Sequence, residues 1–229
     1  MRGQSSVLFA GNSNHLLAKN IARYLEIPLG DILLNTFSDG ELQVEIKECV
    51  RGKIVYIIQS LSSKKVNDYI MELLFIADAL RRADAEKIVA VIPYLGYSRQ
   101  DRKSAHRGPI SASVVLNMLA NAVDGIITFE LHSDQIQGFI QKPMTHLYSR
   151  NMMIQALSDH FDISKAVVAS PDAGGMKRAT AYSRQLGNMP IAFMDKRRPA
   201  PNEVEVAHII GDVEGQTVVI VDDMIDTAG

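Results

Sequence analysis

The end of the sequence carries two adjacent carboxylates, Asp222 and Asp223, directly after the apolar residues 218–221. A buried strand that ends in this way presents both side chains at its carboxyl end, where open α/β sheets bind ligands. The segment that follows contains small residues, which let backbone amides approach an anion, and the hydroxyl of its threonine is a further donor. Its residues are Asp226, Thr227, Ala228 and Gly229. Paired acids beside such a loop suit a sugar phosphate, with the carboxylates on vicinal hydroxyls and the loop on the phosphate. A solvated acidic turn is the alternative.

Cationic side chains are concentrated in one short segment. Arg99, Arg102, Lys103 and Arg107 fall within nine residues, with only Asp101 opposing them. A bound polyphosphate would account for this density of positive charge, which a fold alone does not require. A solvated surface loop is the alternative explanation.

The elements that must position these residues alternate along the chain. Short runs rich in Val and Ile are typical of strands buried on both faces of a mainly parallel sheet. The predicted strands are residues 7–10, 42–46, 54–59, 88–93, 125–129, 166–170, 191–194, 204–210 and 218–221, and the predicted helices are 13–27, 67–83, 110–122, 150–160 and 176–186. Strands alternating with helices predict an α/β fold.

Two pairs of segments resemble each other within the chain. Residues 52–59 resemble 215–222, and residues 87–94 resemble 165–172. Two related α/β domains would explain both pairs. Because the first copy continues from residue 59 into a long helix, we expect the second domain to be incomplete where the sequence stops in the corresponding loop.

Composition narrows the class of protein. Of 229 residues, 47% are apolar and 22% are charged, which supports a substantial core and argues against a disordered chain. The net charge of −2 argues against sequence-independent binding to nucleic acid or to an anionic membrane, so neither is an expected partner. No apolar run has the length of a membrane span, and a single cysteine, Cys49, fits a reducing compartment. The predicted location is the cytoplasm.

Several segments together resemble a known family. Residues 218–229 resemble the phosphoribosyl-pyrophosphate loop shared by type I phosphoribosyltransferases and ribose-phosphate diphosphokinases. Four further segments look like signatures of the diphosphokinases: residues 36–41 (TFSDGE), 93–103 (PYLGYSRQDRK), 170–175 (SPDAGG) and 195–199 (DKRRP). The resemblance implies two type I phosphoribosyltransferase-like domains with mainly parallel sheets. We expect residues 1–146 on the ATP side and residues 147–229 on the ribose 5-phosphate side.

The resemblance implies transfer of the diphosphoryl group of ATP to the 1-hydroxyl of ribose 5-phosphate, giving phosphoribosyl pyrophosphate and AMP for nucleotide biosynthesis. It implies ATP contacts from Arg99 and Gln100, and an adenine site, supplied by a neighbouring subunit, made of Phe37, Asp39, Gly40 and Glu41. An aromatic face for stacking and two carboxylate acceptors for an exocyclic amine agree with that role. The family resemblance also implies a homo-oligomer, expected to be a hexamer.

Catalytic and metal-binding roles follow from the same resemblance. Lys196 and Arg198, expected in a loop after a strand, would place cations on the charge that develops during phosphoryl transfer, and Arg198 would also contact ribose 5-phosphate. The resemblance implies that His132 and Asp172 bind Mg²⁺. On spacing alone, a lone histidine such as His132 is more often packed or hydrogen-bonded than a metal ligand. The other histidines are expected to be structural.

The sequence also departs from the family pattern. Glu130, Gln141 and Thr145 stand where relatives often carry aspartate, which could weaken secondary cation contacts. Relatives continue beyond the position of Gly229, so we expect weak ribose 5-phosphate binding and slow turnover by the 229-residue chain. Two other functions therefore stay open: a catalytically silent homologue or regulatory subunit, and, less well supported, a phosphoribosyltransferase.

Overall fold

The computed structural model describes residues 6–197 and 205–225. These residues form two compact units, Met1–Leu147 (unit 1) and Tyr148–Gly229 (unit 2). No helix in the described ranges is long and apolar enough to cross a membrane.

Unit 1 is built around a five-stranded parallel sheet with the order β1-β4-β5-β6-β7. The strands and helices are β1 (Ser6–Ala10), α1 (His15–Leu25), β2 (Ile32–Thr36), β3 (Leu42–Ile46), β4 (Ile54–Ile58), α2 (Val66–Arg82), β5 (Lys87–Ile92), α3 (Ser111–Ala122), β6 (Gly125–Phe129) and β7 (Met144–Leu147), with a 3-10 helix at Asp134–Phe139. Its core joins the continuous apolar strands to the apolar faces of α2 and α3. Each large aliphatic side chain buried there contributes roughly 1.5–3 kcal/mol.

A separate two-stranded antiparallel sheet in unit 1 is formed by β2 and β3. Its turn is closed by the Phe37 N–H, which donates to the Glu41 carbonyl (2.8 Å), and by the Gly40 N–H, which donates to the Phe37 carbonyl (3.0 Å). Gly40 has φ +94°, a left-handed conformation that glycine adopts without steric cost. The hairpin therefore presents residues 37–41 at its tip.

Unit 2 contains α4 (Arg150–His160), β8 (Ala166–Ser170), α5 (Met176–Gln185), β9 (Ile191–Arg197), β10 (Glu205–Ile210) and β11 (Thr217–Ile220). A short 3-10 helix, Ala173–Gly175, precedes α5. The sheet order is β10-β9-β8-β11, in which β8 runs parallel to both β9 and β11, and β10 is antiparallel. The carboxyl ends of β8 and β11 consequently lie side by side.

The α/β fold class and all five predicted helices are confirmed, with ends that differ by a few residues. Two strands, β2 and β7, were not predicted. In β2 only alternate residues are partly buried, and β7 is a four-residue edge strand, so neither has the continuous apolar pattern of the central strands. The placement of Lys196 in a loop is wrong: antiparallel pairing with β10 extends β9 to Arg197, and the backbone of Lys196 pairs with Val206.

Candidate active site

The turn after β8 is tightly closed by its own side-chain hydrogen bonds. Asp172 Oδ1 accepts the Gly175 N–H at 2.9 Å, and the Ser170 hydroxyl donates to the Asp172 carbonyl at 2.7 Å. A Cβ on Gly175 would lie 2.4 Å from Ser170 Oγ, so a side chain would not fit there without a shift of the turn. The turn leads directly into α5, whose first amides point toward the carboxyl edge of the sheet, an arrangement that favours anions.

The neighbouring strand β11 delivers the predicted carboxylates to the same edge. The Asp223 N–H donates to Asp222 Oδ1 at 2.8 Å. Arg178, in the first turn of α5, donates from Nη1 to Asp223 Oδ1 at 2.9 Å and lies 3.7 Å from Asp222 Oδ1. One arginine therefore links the turn after β8 to the acid pair after β11.

The two carboxylates have different surroundings. The Asp223 side chain is 10% exposed, whereas that of Asp222 is 38% exposed. Partial burial and the adjacent Asp223 side chain raise the pKa of Asp222 above its ordinary value, and the Arg178 guanidinium opposes this rise. Asp223 is thus held by Arg178, and Asp222 is the more accessible of the two carboxylates.

The other residues predicted for ribose 5-phosphate binding and for catalysis lie at or beyond the limits of the described residues. Arg198, Asp226, Thr227, Ala228 and Gly229 fall outside the described residues. Lys196 is described by its backbone in β9. Their roles stay predictions.

In unit 1, the hairpin tip exposes the residues predicted to hold adenine. The Phe37 ring is 49% exposed, which leaves a face available for stacking. Asp39 Oδ1 accepts the Glu41 N–H at 3.0 Å, which fixes the tip locally. The ring and both acidic side chains belong to one turn of five residues.

The basic segment follows β5 and borders a cavity of about 260 Å³ at the carboxyl ends of β4 and β5. Gln100 Oε1 accepts the Ser111 hydroxyl at 2.6 Å, and the Gln100 carbonyl accepts the Ala112 N–H at 3.2 Å, which anchors the segment to the start of α3. Arg99, Arg102, Lys103 and Arg107 are exposed. A larger cavity of about 350 Å³ between α2 and α3 is mostly apolar and is lined by neither Arg99 nor Gln100.

His132 lies in the segment that follows β6. Leu131 before it is 3% exposed, and His132 itself is exposed. Glu130 turns the chain with φ +40°, and its N–H donates to the Leu147 carbonyl at 3.1 Å. The segment is thus anchored to β7 while His132 faces solvent.

Comparison with known proteins identifies the family of this chain. Residues 6–122 match the model of the N-terminal domain of ribose phosphate pyrophosphokinase, and residues 146–229 match the phosphoribosyl transferase domain. Ribose-phosphate pyrophosphokinase of Bradyrhizobium diazoefficiens is 50% identical over 223 residues, which cover 97% of this chain and 70% of the relative. The chain belongs to the ribose-phosphate pyrophosphokinase family.

Further relatives of the family support the assignment. The Ralstonia nicotianae ribose-phosphate pyrophosphokinase is 48% identical over 231 residues, covering 100% of this chain and 72% of the relative. The crystal structure of phosphoribosylpyrophosphate synthetase from Mycobacterium smegmatis superposes with a TM-score of 0.91 at 36% identity, covering 99% of this chain and 74% of that one. The resemblance drawn from the sequence, its fold class and its enzymatic function are confirmed for the family.

Ribose-phosphate pyrophosphokinases are generally Mg²⁺-dependent, and the donor set can be tested for fit. Among residues 6–197 and 205–225, no three His, Cys, Asp or Glu side chains converge as a metal cage. Asp172 uses Oδ1 for the Gly175 amide, which leaves Oδ2 for another ligand. Mg²⁺ in phosphoryl-transfer sites typically takes one or two carboxylates plus waters and substrate phosphates. The residues therefore fit a cation that enters with a polyphosphate.

Sequence reasoning missed Arg178. A cation in the first turn of a helix faces the positive end of the helix dipole, which is unfavourable without a compensating anion. Its position three residues after Gly175 was therefore a readable signal that a carboxylate lies nearby.

Proposed function

We propose that this chain itself transfers the diphosphoryl group of ATP to ribose 5-phosphate, with ATP on unit 1 and ribose 5-phosphate on unit 2. The Arg178–Asp223 ion pair supports this proposal, since it joins the helix that follows the turn after β8 to the acid pair after β11 at one edge of one sheet. Asp222 and Asp223 would hold the ribose hydroxyls. Asp226, Thr227, Ala228 and Gly229 would cradle the phosphate.

On the ATP side, Phe37, Asp39, Gly40 and Glu41 would hold the adenine, and Arg99 and Gln100 would contact the polyphosphate. Exposed arginines beside a polar cavity at the strand ends support this assignment. Mg²⁺, when bound, would neutralise phosphate charge, with His132 and Asp172 as its candidate protein ligands.

Lys196 and Arg198 are the proposed catalytic cations. Phosphoryl transfer requires mainly positioning and stabilisation of charge on the transferred oxygens, so cations held near those oxygens supply most of what a protein can contribute. Arg198 would in addition contact the phosphate of ribose 5-phosphate.

The proposed assembly is a homo-oligomer, a hexamer by family analogy, in the cytoplasm. The exposed hairpin tip supports an adenine site completed by a neighbouring subunit. Sedimentation that finds only monomers at micromolar concentration would contradict a shared site.

The activity test is incubation of the purified chain with ATP, Mg²⁺ and ribose 5-phosphate, with AMP and phosphoribosyl pyrophosphate quantified together. Equal amounts of both products are expected, and none without ribose 5-phosphate. ATP binding without AMP release would favour the silent homologue. Consumption of phosphoribosyl pyrophosphate with a nucleobase would favour a phosphoribosyltransferase.

A variant pair tests the catalytic role of Lys196. Lys196→Ala should lower turnover about 10²–10³-fold with little change in ATP affinity, by analogy with the loss of one transition-state donor. Lys19→Ala, an exposed lysine on α1, should leave turnover unchanged. Unchanged turnover in Lys196→Ala would reject the role.

A further inference from the structure

His146, in the edge strand β7, contacts the segment that carries His132 on both sides of that residue. Its Nε2 accepts the Leu131 N–H at 3.0 Å. Its Nδ1 lies 3.6 Å from Asp134 Oδ1. The His146 side chain is only 4% exposed, so these contacts are made beneath the segment while His132 faces solvent.

The hydrogen bond from the Leu131 N–H determines which nitrogen of the His146 ring carries the proton. A backbone amide can only donate, so Nε2 carries no proton, and the neutral imidazole has its proton on Nδ1, which faces the Asp134 carboxylate. The ring thus accepts at one end and presents a proton at the other. An aliphatic side chain of similar size can do neither, whereas glutamine can place an amide oxygen near the position of Nε2.

The backbone conformation of the segment depends on hydrogen bonds from β7. Glu130 adopts a left-handed conformation (φ +40°), which costs an ordinary residue free energy and persists only where the surroundings enforce it. The surroundings here are β7: Leu147 accepts the Glu130 N–H, and His146 accepts the next amide along the chain. The exit of the chain from β6, and with it the direction of His132, depends on two consecutive residues of β7.

We propose that His146 is a positioning residue that fixes His132 in the orientation needed for the cation that accompanies ATP. The inference rests on the proposed function, in which His132 is a ligand of that cation. Residues that orient a metal ligand typically change metal affinity 10–100-fold when they are replaced.

The test uses the full chain with ¹³C-labelled histidine and Mn²⁺–ATP as the probe, and reads the paramagnetic broadening of the His132 ring signal. His146→Leu should require at least about tenfold more Mn²⁺–ATP for half-broadening, whereas His146→Gln should stay within about threefold of the parent. Hydrogen exchange of the Leu131 amide should accelerate in His146→Leu, with that of Ile126 in the core unchanged. If His146→Leu does not fold, His146→Asn, whose amide is too short to reach Leu131, replaces it with the same expectation.

The outcomes separate this inference from the function on which it rests. Equal half-broadening concentrations in the parent and in the Leu or Asn variant would overturn the positioning role and leave His132 as a ligand. No broadening of the His132 signal in the parent would overturn the ligand role, and the positioning role with it. Rescue by His146→Gln together with loss in the other variants supports the proposal.

Discussion

The ends of β4 and β11 carry similar sequences and have different surroundings. Residues 52–59 resemble 215–222, and each strand has a parallel neighbour from the second similar pair, β5 for β4 and β8 for β11. After β4, the side chain of Gln59 is completely buried. After β11, the side chain of Asp222 is 38% exposed.

Contacts explain the difference. Gln59 Nε2 donates to Glu72 Oε1 at 2.7 Å, and Gln59 Oε1 accepts the Ser13 N–H at 3.2 Å. Glu72 also accepts the backbone and side-chain N–H groups of Asn12, each at 2.7 Å. In unit 1 the polar group at the strand end therefore holds the loop after β1. In unit 2 Arg178 holds Asp223, and Asp222 remains accessible.

The comparison shows that one strand pattern can end either in a structural hydrogen-bond network or in a site for a ligand. Both side-chain polar atoms of the buried Gln59, between β4 and α2, are hydrogen-bonded within the protein, so variants there should change stability. Variants at the end of β11 should change ligand binding and leave folding nearly intact. Four predictions test this division.

The largest effect is expected from Glu72→Leu. Its replacement leaves the buried Gln59 Nε2 and two partly buried N–H groups of Asn12 without their carboxylate acceptor, which should lower the free energy of unfolding by about 2–3 kcal/mol. Urea denaturation measures this loss. Glu72→Gln, which keeps the shape and one oxygen, should lose less. Asp78→Ala, on the exposed side of the same helix, removes only an exposed ion pair with Arg82 and should cost no more than about 0.5 kcal/mol. A loss below about 1 kcal/mol in Glu72→Leu would show that the hydrogen-bond network at the end of β4 does not stabilise the fold.

The next effect concerns the acid pair. Replacing both Asp222 and Asp223 by Asn should weaken ribose 5-phosphate binding about 10–100-fold, since hydrogen bonds to charged acceptors are worth about 1.5–3 kcal/mol. Calorimetry measures the affinity relative to the parent. Asp212→Asn, in an exposed turn, is the matched control. If the double variant unfolds more readily but binds equally well, the two strand ends do not differ in the way proposed.

A smaller effect is expected from Arg178→Met. Loss of the guanidinium removes the charge that opposes the raised pKa of Asp222, so this pKa should rise further. Binding that needs the ionised carboxylate should then be lost at a higher pH as the solution is acidified. Carboxyl ¹³C titration of Asp222 measures the shift. A fall of the pKa in the variant would contradict the assigned geometry.

The smallest effect lies at the opposite end of the unit 1 sheet, where Asp124 accepts hydrogen bonds from Arg81 at 3.0 and 3.1 Å and from the Ile88 N–H at 2.9 Å. Burial alone would raise the pKa of Asp124, but these hydrogen bonds, with the charges of Arg81 and Lys142, lower it. Its stabilisation is therefore present above the pKa of the unfolded chain and lost as pH falls through the folded pKa.

Asp124→Asn tests this assignment. Because the ion pair is partly exposed, the substitution should cost about 1 kcal/mol near neutral pH and less in acid, where the parent carboxyl is protonated. Urea denaturation across the acid range measures both values. Equal losses at all pH values would show that the ion pair is not the source of the stabilisation.

Much of the site could be predicted because it depends on local sequence. The run of apolar residues into Asp222 predicted a strand with carboxylates at its end, and β11 lies there. The predicted burial of this strand is wrong, because β11 is at the edge of its sheet and leaves Val218 and Ile220 exposed. The basic segment was indicated by residue types at short spacing, whereas residues 37–41 were indicated by the family resemblance. Arg178, Glu72 and His146 were not found, because each acts on a residue 45, 60 or 15 positions away, respectively. Arg178 left one local signal, its place in the first turn of a helix, but no local pattern indicates the contacts of Glu72 or His146.

The sequence by itself determined the α/β class, the five helices and the family, because helical period, strand composition and motif spacing are properties of neighbouring residues. Only the tertiary structure decided which strand end is buried and which is accessible. Parallel pairing brings β8 beside β11 and β4 beside β5. The helix after β8 then supplies Arg178 to the end of β11, whereas the helix after β4 supplies Glu72 to the end of β4. Burial and pairing at each carboxyl edge come from elements distant in the chain, and they set whether a polar side chain stabilises a loop or faces a ligand.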